Sequence, residues 1–247
     1  MSRPLSVQLY SVRDALAADR EGTLARLAAM GFGAVEPFDV RTDPDGLRRL
    51  ADDLGLTVSS THAGPLLDAD PEPALEGVAR LGTDLAIVPG GIPHEEFTSL
   101  DGLKRTADRL NGIAERAAPL GIRVGYHNHW WEIEPDVDGR HALEVLADLL
   151  APDVFLEVDT YWAAVGGADV AALLGRLGDR VLALHVKDGP GIKGEPHVAV
   201  GTGAMPVPDI LAASPGTWRI VEFDACAGDL FAELAASRAY VTALEAA

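Results

Sequence analysis

Ionisable residues recur two positions apart at the ends of four β-rich segments in the second half of the chain. The pairs are His127 with His129, Glu157 with Asp159, His185 with Lys187, and Glu222 with Asp224. Residues i and i+2 share one face of a strand, so the two members of each pair point the same way. The residues between them are mostly apolar, as Val158, Val186 and Phe223 are. A buried parallel strand is normally apolar on both faces, so polar pairs at four strand ends predict a functional site.

A divalent metal is the simplest function for this set of side chains. Unpaired buried carboxylates are costly, and a cation removes that cost while accepting imidazole and carboxylate ligands together. Mixed nitrogen and oxygen ligands favour Mn²⁺, Fe²⁺, Co²⁺ or Zn²⁺ over Ca²⁺, which prefers oxygen alone. The alternative is a metal-free network of buried ion pairs, such as Lys187 with Glu157 or Asp159. By position we predict one metal ligand from each of four consecutive strands: His127, Asp159, His185 and Glu222.

Eight β-rich segments alternate with helical segments along the chain and would position these residues. The β-rich segments span 5–12, 33–38, 57–63, 84–90, 123–129, 154–160, 181–188 and 218–224. Segments with the apolar spacing of amphipathic helices span 19–33, 43–56, 99–122, 139–153, 169–179 and 229–247. The seventh connection, 189–214, is long and rich in glycine and proline, with a short helix near its end.

The alternation predicts an α/β fold, a (β/α)₈ TIM barrel that forms a single domain over residues 1–247. Strands that alternate with helices are parallel and are joined by right-handed crossovers. An open doubly wound sheet is the main alternative. However, the chain continues from its first strand as YSVRDAL, without the glycine-rich loop that binds nucleotides in such sheets.

The carboxyl ends of the strands carry the active site of a TIM barrel, so polar and aromatic residues there are candidates for substrate contact. Some of these residues also have an ordinary structural interpretation, since a buried histidine can be satisfied within the core and aromatic residues at barrel mouths often serve packing. The substrate-binding candidates are Glu36, His62, His129, Trp131, Trp162 and His197.

Composition excludes several classes of partner. The net charge is −18 at pH 7, which argues against nucleic acid and anionic membranes, because both need clustered lysine and arginine. The single cysteine, Cys226, cannot form an internal disulfide and fits a reducing compartment. The first residues, MSRPLSVQLYSVRD, lack the features of a signal peptide, so we expect a cytoplasmic protein.

The chain resembles the xylose isomerase-like TIM barrel superfamily, in its sugar phosphate isomerase/epimerase branch. The motifs that carry the resemblance are, in chain order, MGFGAVEPF, YHNHWWEIE, LEVDTYWAAVGG, LHVKD, VGTGAMPVPDIL and VEFD. They cover nearly the whole chain. The combination of DTYW with HVKD is fairly specific for the branch and is not specific for a substrate.

The resemblance implies a divalent metal, most often Mn²⁺ with Zn²⁺, Co²⁺, Fe²⁺ or Mg²⁺ as alternatives, and a small sugar or polyol ligand. It implies Asp159, His185 and Glu222 as ligands, with His127 at the strand-five position. Ketose 3-epimerases of this superfamily have glutamate at that position and use two metal-bound glutamates as acid and base. The YHNH form is more similar to inosose dehydratases and to relatives that process 3-keto-sugars. The resemblance also suggests a homodimer.

Proton abstraction next to a carbonyl is the chemistry that such a site supports, with the metal stabilising an enediolate. Glu132 or Glu222 is the expected base, and Lys187 or His129 would return a proton or hold an oxygen. Reprotonation gives an isomer or epimer, whereas loss of a β-substituent gives a dehydratase or lyase. A non-catalytic sugar-binding barrel is a second class of function. A metal-dependent endonuclease is a third, which the acidic charge disfavours.

Overall fold

Parallel strands form one sheet in the computed structural model, which describes residues 3–226 and 228–246. The sheet begins with β1 (Ser6–Gln8), β2 (Ala34–Glu36), β3 (Thr57–Val58), β4 (Thr61–His62), β5 (Leu85–Val88) and β6 (Arg123–His127). A separate antiparallel hairpin follows, made of β7 (Asp136–Val137) and β8 (Arg140–His141). The sheet then continues with β9 (Phe155–Asp159), β10 (Val181–Val186) and β11 (Trp218–Val221).

The third predicted strand is divided into β3 and β4, and the barrel closes through this division. The sheet order is β3-β2-β1-β11-β10-β9-β6-β5-β4, so the first and last strands belong to one chain segment. β3 pairs with β2, whereas β4 pairs with β5. Backbone hydrogen bonds continue across the division, since Ser59 N donates to Val35 O and Ala63 N donates to Ile87 O. The eight predicted strand positions and the TIM barrel fold are therefore confirmed.

Helices surround the barrel. They are α1 (Arg13–Ala18), α2 (Arg20–Ala29), α3 (Pro44–Asp53), α4 (Glu72–Leu81), α5 (Leu100–Ala117), α6 (Ala142–Leu149), α7 (Thr160–Val165), α8 (Val170–Leu177), α9 (Val207–Ala213) and α10 (Leu230–Glu245). The sequence analysis did not identify α4, although Pro73 lies in its first turn and Gly82 ends it with a φ of 79°. None of the helices in the described ranges combines the length and apolar character needed to cross a membrane.

The interior of the barrel is apolar towards the amino ends of the strands and polar towards their carboxyl ends. Phe155, Trp218 and Ile220 belong to a buried apolar cluster that is separate from the main core. Phe155 packs so closely on Gly125 that a Cβ atom there would lie 2.5 Å from its ring. Further along the same strands every second residue becomes polar, as in the run from Phe155 through Glu157 to Asp159. The alternation therefore directs the paired polar residues towards the barrel axis.

Candidate active site

Lys187 lies among three carboxylates at the carboxyl ends of β9 and β11. Its Nζ atom is 2.6 Å from Glu222 Oε2, 2.8 Å from Asp159 Oδ2 and 2.9 Å from Asp224 Oδ2. Burial alone would lower the pKa of Lys187, but the three carboxylates raise it well above its ordinary value. Lys187 is therefore a fixed positive charge at the centre of an acidic group.

Asp159 is held by the helix that follows it. Its Oδ1 atom accepts a hydrogen bond of 2.9 Å from Trp162 N and so caps α7. The other oxygen, Oδ2, faces Lys187 and lies 3.8 Å from His127 Nε2. One oxygen of Asp159 thus has a structural role, and the other is directed into the site.

His185 lies between carboxylates on both sides of its ring. Nδ1 is 2.6 Å from Glu222 Oε2, and Nε2 is 2.7 Å from Glu36 Oε2 and 3.2 Å from Glu157 Oε2. Burial opposes protonation, but these carboxylates raise the pKa of His185 well above its ordinary value. The strand register places His185 directly beside Asp159.

Several imidazole nitrogens also meet at Glu157, which the sequence analysis placed in a polar pair without assigning it a role. Its Oε2 atom is 2.7 Å from His62 Nε2 and 3.0 Å from His127 Nδ1. Its Oε1 atom is buried without a hydrogen-bond partner. Burial lowers the pKa of His127 well below its ordinary value, so this ring is neutral and suited to bind a metal. The position of Glu157, two residues before Asp159, was the available signal.

Within residues 3–226 and 228–246, two groups of side chains bring donor atoms close enough for a metal ion. One consists of Asp159, His185 and Glu222, and the other of His62, His127, Glu157 and His185, each with its atoms within 4.8 Å of one another. The carboxylates around them outnumber the cationic groups, and a buried carboxylate oxygen remains unpartnered. The donor set and the excess of negative charge both fit a divalent cation.

A cavity of about 460 Å³ opens above this group. Six predicted site residues line it, namely His62, His127, His129, Trp162, Lys187 and Glu222. Tyr10, Phe38 and Pro89 also line it and had not been predicted as site residues, and Asp224 lines it after being predicted only as a member of a polar pair. Tyr10 and Phe38 form an edge-to-face pair with ring centroids 5.5 Å apart. Their positions just after the first two strands were the signal in the sequence.

Six other predicted residues are outside the lining of this cavity, namely Glu36, Trp131, Glu132, Asp159, His185 and His197. Glu36 is fully buried beneath it, where it accepts hydrogen bonds from Gln8 and Ser60. Trp131 stacks between the rings of His129 and His94, with centroid distances of 4.0 and 4.1 Å. The substrate-binding roles of Glu36 and Trp131 stay predictions, although Glu36 is hydrogen-bonded and Trp131 is stacked within the protein.

Glu132, one of the two expected bases, follows β6 in the chain, and its side chain ends against that strand. Its Oε1 atom accepts a hydrogen bond of 2.6 Å from Tyr126 Oη, and Oε2 accepts one of 2.7 Å from His129 N. The side chain is fully buried, so it is not a solvated carboxylate of the loop. Both oxygens are occupied, so the position of Glu132 gives less support to a role as base than that of Glu222.

His197 is buried in the long loop that precedes α9. Its Nδ1 atom accepts a hydrogen bond of 3.3 Å from Asp224 N, and its ring lies 4.6 Å from that of Tyr161. Burial and the charge of Lys187 lower the pKa of His197 to about 4. His197 therefore supports Asp224 from behind the cavity wall.

Asp188 fastens the same loop. Its two carboxylate oxygens accept backbone hydrogen bonds of 2.8 to 3.0 Å from Gly189, Gly201, Gly203 and Met205. A Cβ atom at position 203 would lie 2.2 Å from Asp188 Oδ1, so only glycine fits there. The motifs HVKD and GTGAM are thus two parts of one structural unit.

Solved structures of other proteins, including the following three, share the fold of this chain at low sequence identity. A sugar phosphate isomerase/epimerase from Parabacteroides distasonis ATCC 8503 superposes with a TM-score of 0.84 at 24% identity, over 98% of this chain and 94% of that one. A probable 3-DHS dehydratase from Bacillus anthracis gives 0.73 at 15% identity, over 97% and 99%. An L-ribulose 3-epimerase gives 0.71 at 18% identity, over 100% and 95%.

Two sequence comparisons bear on the family of this protein. No curated protein matches the chain. The model of one protein family, described as the xylose isomerase-like TIM barrel, matches residues 24–213, which is more than half of the chain. The observed barrel and its strand-end polar groups agree with that match, and we conclude that this protein belongs to the xylose isomerase-like TIM barrel family.

Proposed function

We propose that the protein is a divalent-metal-dependent isomerase or epimerase that acts on a keto-sugar or a polyol-derived ketone. The observation that carries the proposal is the meeting of Asp159, His185 and Glu222 beneath a cavity that is partly polar and partly aromatic. His127 would be the fourth ligand, since its Nε2 atom lies 3.8 Å from Asp159 Oδ2. When bound, Mn²⁺ would supply the Lewis acid that stabilises an enediolate.

Glu222 is the proposed base because its carboxylate lines the cavity. Burial acts to raise its pKa, but the charges of Lys187 and His185 hold the pKa of Glu222 well below its ordinary value. The carboxylate is therefore ionised, which is the form that a base requires. Lys187, 2.6 Å away, can stabilise negative charge as it develops on a substrate oxygen. His129 also lines the cavity and is the proposed group that returns a proton.

Proton exchange tests this proposal. The Mn²⁺-loaded protein is incubated in D₂O with a panel of ketoses and inososes, and the signal of the proton next to the carbonyl is followed by NMR after removal of the metal. We expect that proton to exchange in at least one sugar and the exchange rate to fall at least about 100-fold in Glu222→Gln. The control is Glu144→Gln. Glu144 lies on α6 and its carboxylate pairs with Arg176 of α8. Sugar binding without exchange in any compound would instead indicate a sugar-binding barrel.

Elimination is the second reaction that we propose for the same site. Both carboxylates of the cavity lining, Glu222 and Asp224, follow β11, whereas His127 and His129 lie at the end of β6. A symmetric epimerisation with two glutamates therefore has only one glutamate available among the lining residues. In the same NMR experiment, a dehydratase would produce new vinyl or deoxy signals, and an epimerase would produce only a second set of sugar signals.

A further inference from the structure

Each of the two proposed histidine ligands has a buried carboxylate behind the ring nitrogen that faces away from the metal site. His185 directs Nδ1 to Glu222 and Nε2 to Glu36, at 2.6 and 2.7 Å. His127 has the opposite orientation, with Nε2 towards Asp159 and Nδ1 3.0 Å from Glu157 Oε2. His185 thus directs Nδ1 to the metal site and Nε2 to a supporting carboxylate, whereas His127 does the reverse.

We propose that Glu36 and Glu157 are positioning residues that accept the ring N–H of His185 and His127 respectively, and so fix opposite tautomers in the two metal ligands. The inference is built on the proposed metal site. In this arrangement His185 carries its proton on Nε2 and presents Nδ1, whereas His127 carries its proton on Nδ1 and presents Nε2.

The physical reason is that a neutral imidazole has one N–H group and one lone pair, and only the lone pair can bind a metal. A carboxylate behind the ring fixes the N–H on the far nitrogen, holds the ring in place and makes the other nitrogen more basic. Without such an acceptor, His127 or His185 could rotate or change tautomer, and the donor nitrogen would be lost from the site.

The two carboxylates are themselves held in place. Gln8 Nε2 donates a hydrogen bond of 2.6 Å to Glu36 Oε2, and the Ser60 hydroxyl donates to Glu36 Oε1. His62 Nε2 lies 2.7 Å from Glu157 Oε2. Glu36 and Glu157 are both fully buried, and neither lines the cavity. They can therefore act on the ligands but do not face the space available to a substrate.

This assignment also accounts for the nitrogen-rich group of His62, His127, Glu157 and His185. Three imidazole nitrogens converge on the single atom Glu157 Oε2, at distances of 2.7, 3.0 and 3.2 Å. These are hydrogen-bond distances to one acceptor. The group is consequently a supporting layer beneath one metal ion, and it is not a second metal site.

Metal binding and histidine NMR test the inference together. Zn²⁺ is titrated calorimetrically into the wild type, Glu36→Gln, Glu157→Gln and the control Glu144→Gln. We expect one Zn²⁺ per chain and a Kd that is about 10- to 100-fold weaker in Glu36→Gln and Glu157→Gln, with no change in the control. In ¹⁵N-histidine spectra of the Zn²⁺-loaded wild type, His185 should show a protonated Nε2 and His127 a protonated Nδ1.

The outcomes separate the inference from the proposed function. If the wild type binds no Zn²⁺, both are wrong. If it binds Zn²⁺ but the two rings share one tautomer, or if Glu36→Gln and Glu157→Gln bind as tightly as the control, only the positioning roles are wrong. Two Zn²⁺ ions per chain would also overturn them, because Glu157 would then be a ligand. The wild-type spectrum decides the tautomers even if a variant fails to fold.

Discussion

The ammonium group of Lys187 lies 2.6 Å from Glu222 Oε2, inside a barrel where both side chains are buried. The same ammonium is within 3 Å of Asp159 and Asp224. When no metal ion is bound, Lys187 thus partly neutralises the charges of Asp159 and Glu222, two of the proposed metal ligands. This relationship links the stability of the barrel to its chemistry, because a bound cation would share the same carboxylates.

Lys187→Met should destabilise the protein by about 3–5 kcal/mol, because three carboxylates would lose their buried positive partner. Urea denaturation measures the loss. The control is Lys104→Met, whose lysine is exposed and lies 3.7 Å from Asp101. Added Mn²⁺ should raise the stability of Lys187→Met more than that of the wild type, since the cation replaces the missing charge. Equal stabilities of the two lysine variants would contradict the role assigned to Lys187.

Glu132→Gln distinguishes a structural role from a role as base. Glu132 accepts hydrogen bonds from Tyr126 Oη and His129 N, so the substitution should lower the free energy of unfolding by about 1–3 kcal/mol. Deuterium exchange into a substrate sugar should persist within about tenfold of the wild-type rate. A loss of exchange as large as that expected for Glu222→Gln, in a variant that remains folded, would show that Glu132 is the base.

His197 should make the protein less stable in mild acid. Burial and Lys187 lower the pKa of His197 to about 4, against a value of 6.5 in the unfolded chain. Between pH 6.5 and 4 the unfolded state therefore binds more protons at this residue, and stability falls as the pH falls. Above pH 6.5 the effect is absent.

His197→Gln removes that titration. The slope of unfolding free energy against pH should be smaller in the variant by up to about 1.4 kcal/mol per pH unit within the window. Urea denaturation of both proteins from pH 4.5 to 7.5 measures the difference. Parallel curves for wild type and variant would mean that His197 titrates normally in the folded protein.

Asp188→Asn should loosen the loop between β10 and α9. The substitution removes a charge that accepts backbone hydrogen bonds from Gly201, Gly203 and Met205. Hydrogen bonds to a charged group contribute about 1.5–3 kcal/mol each and are not additive, so we expect a total loss of roughly 2–4 kcal/mol. Limited proteolysis should cut within the loop faster in this variant than in the control Glu195→Gln, an exposed residue of the same loop. Similar cleavage rates would argue against this fastening.

The alternation of β-rich and helical segments along the sequence determined the architecture. Eight β-rich segments alternating with helical ones predicted the TIM barrel, and the structure confirms it. The polar pairs could be placed on one face because side chains alternate along a strand, and at one end of the barrel because all its strands are parallel. Asp159, His185 and Glu222 were brought together by this reasoning alone, although their roles stay predictions. The division of the third strand was missed because it depends on a local break in the pattern. The helix α4 was missed although Ala74, Leu75, Val78 and Leu81 have the apolar spacing of a helix.

Only the tertiary structure decided which carboxylate meets which nitrogen. The sequence places Glu36 and Glu157 at strand ends, but only the structure shows that both are buried below the cavity, against His185 and His127 respectively. Glu132 is one of the two bases expected from the sequence, but its carboxylate accepts a hydrogen bond from the Tyr126 hydroxyl. Spacing along a strand fixes the face of a residue. It does not fix the depth of its side chain or its partner, because these depend on distances of a few ångströms across the barrel between residues far apart in the chain.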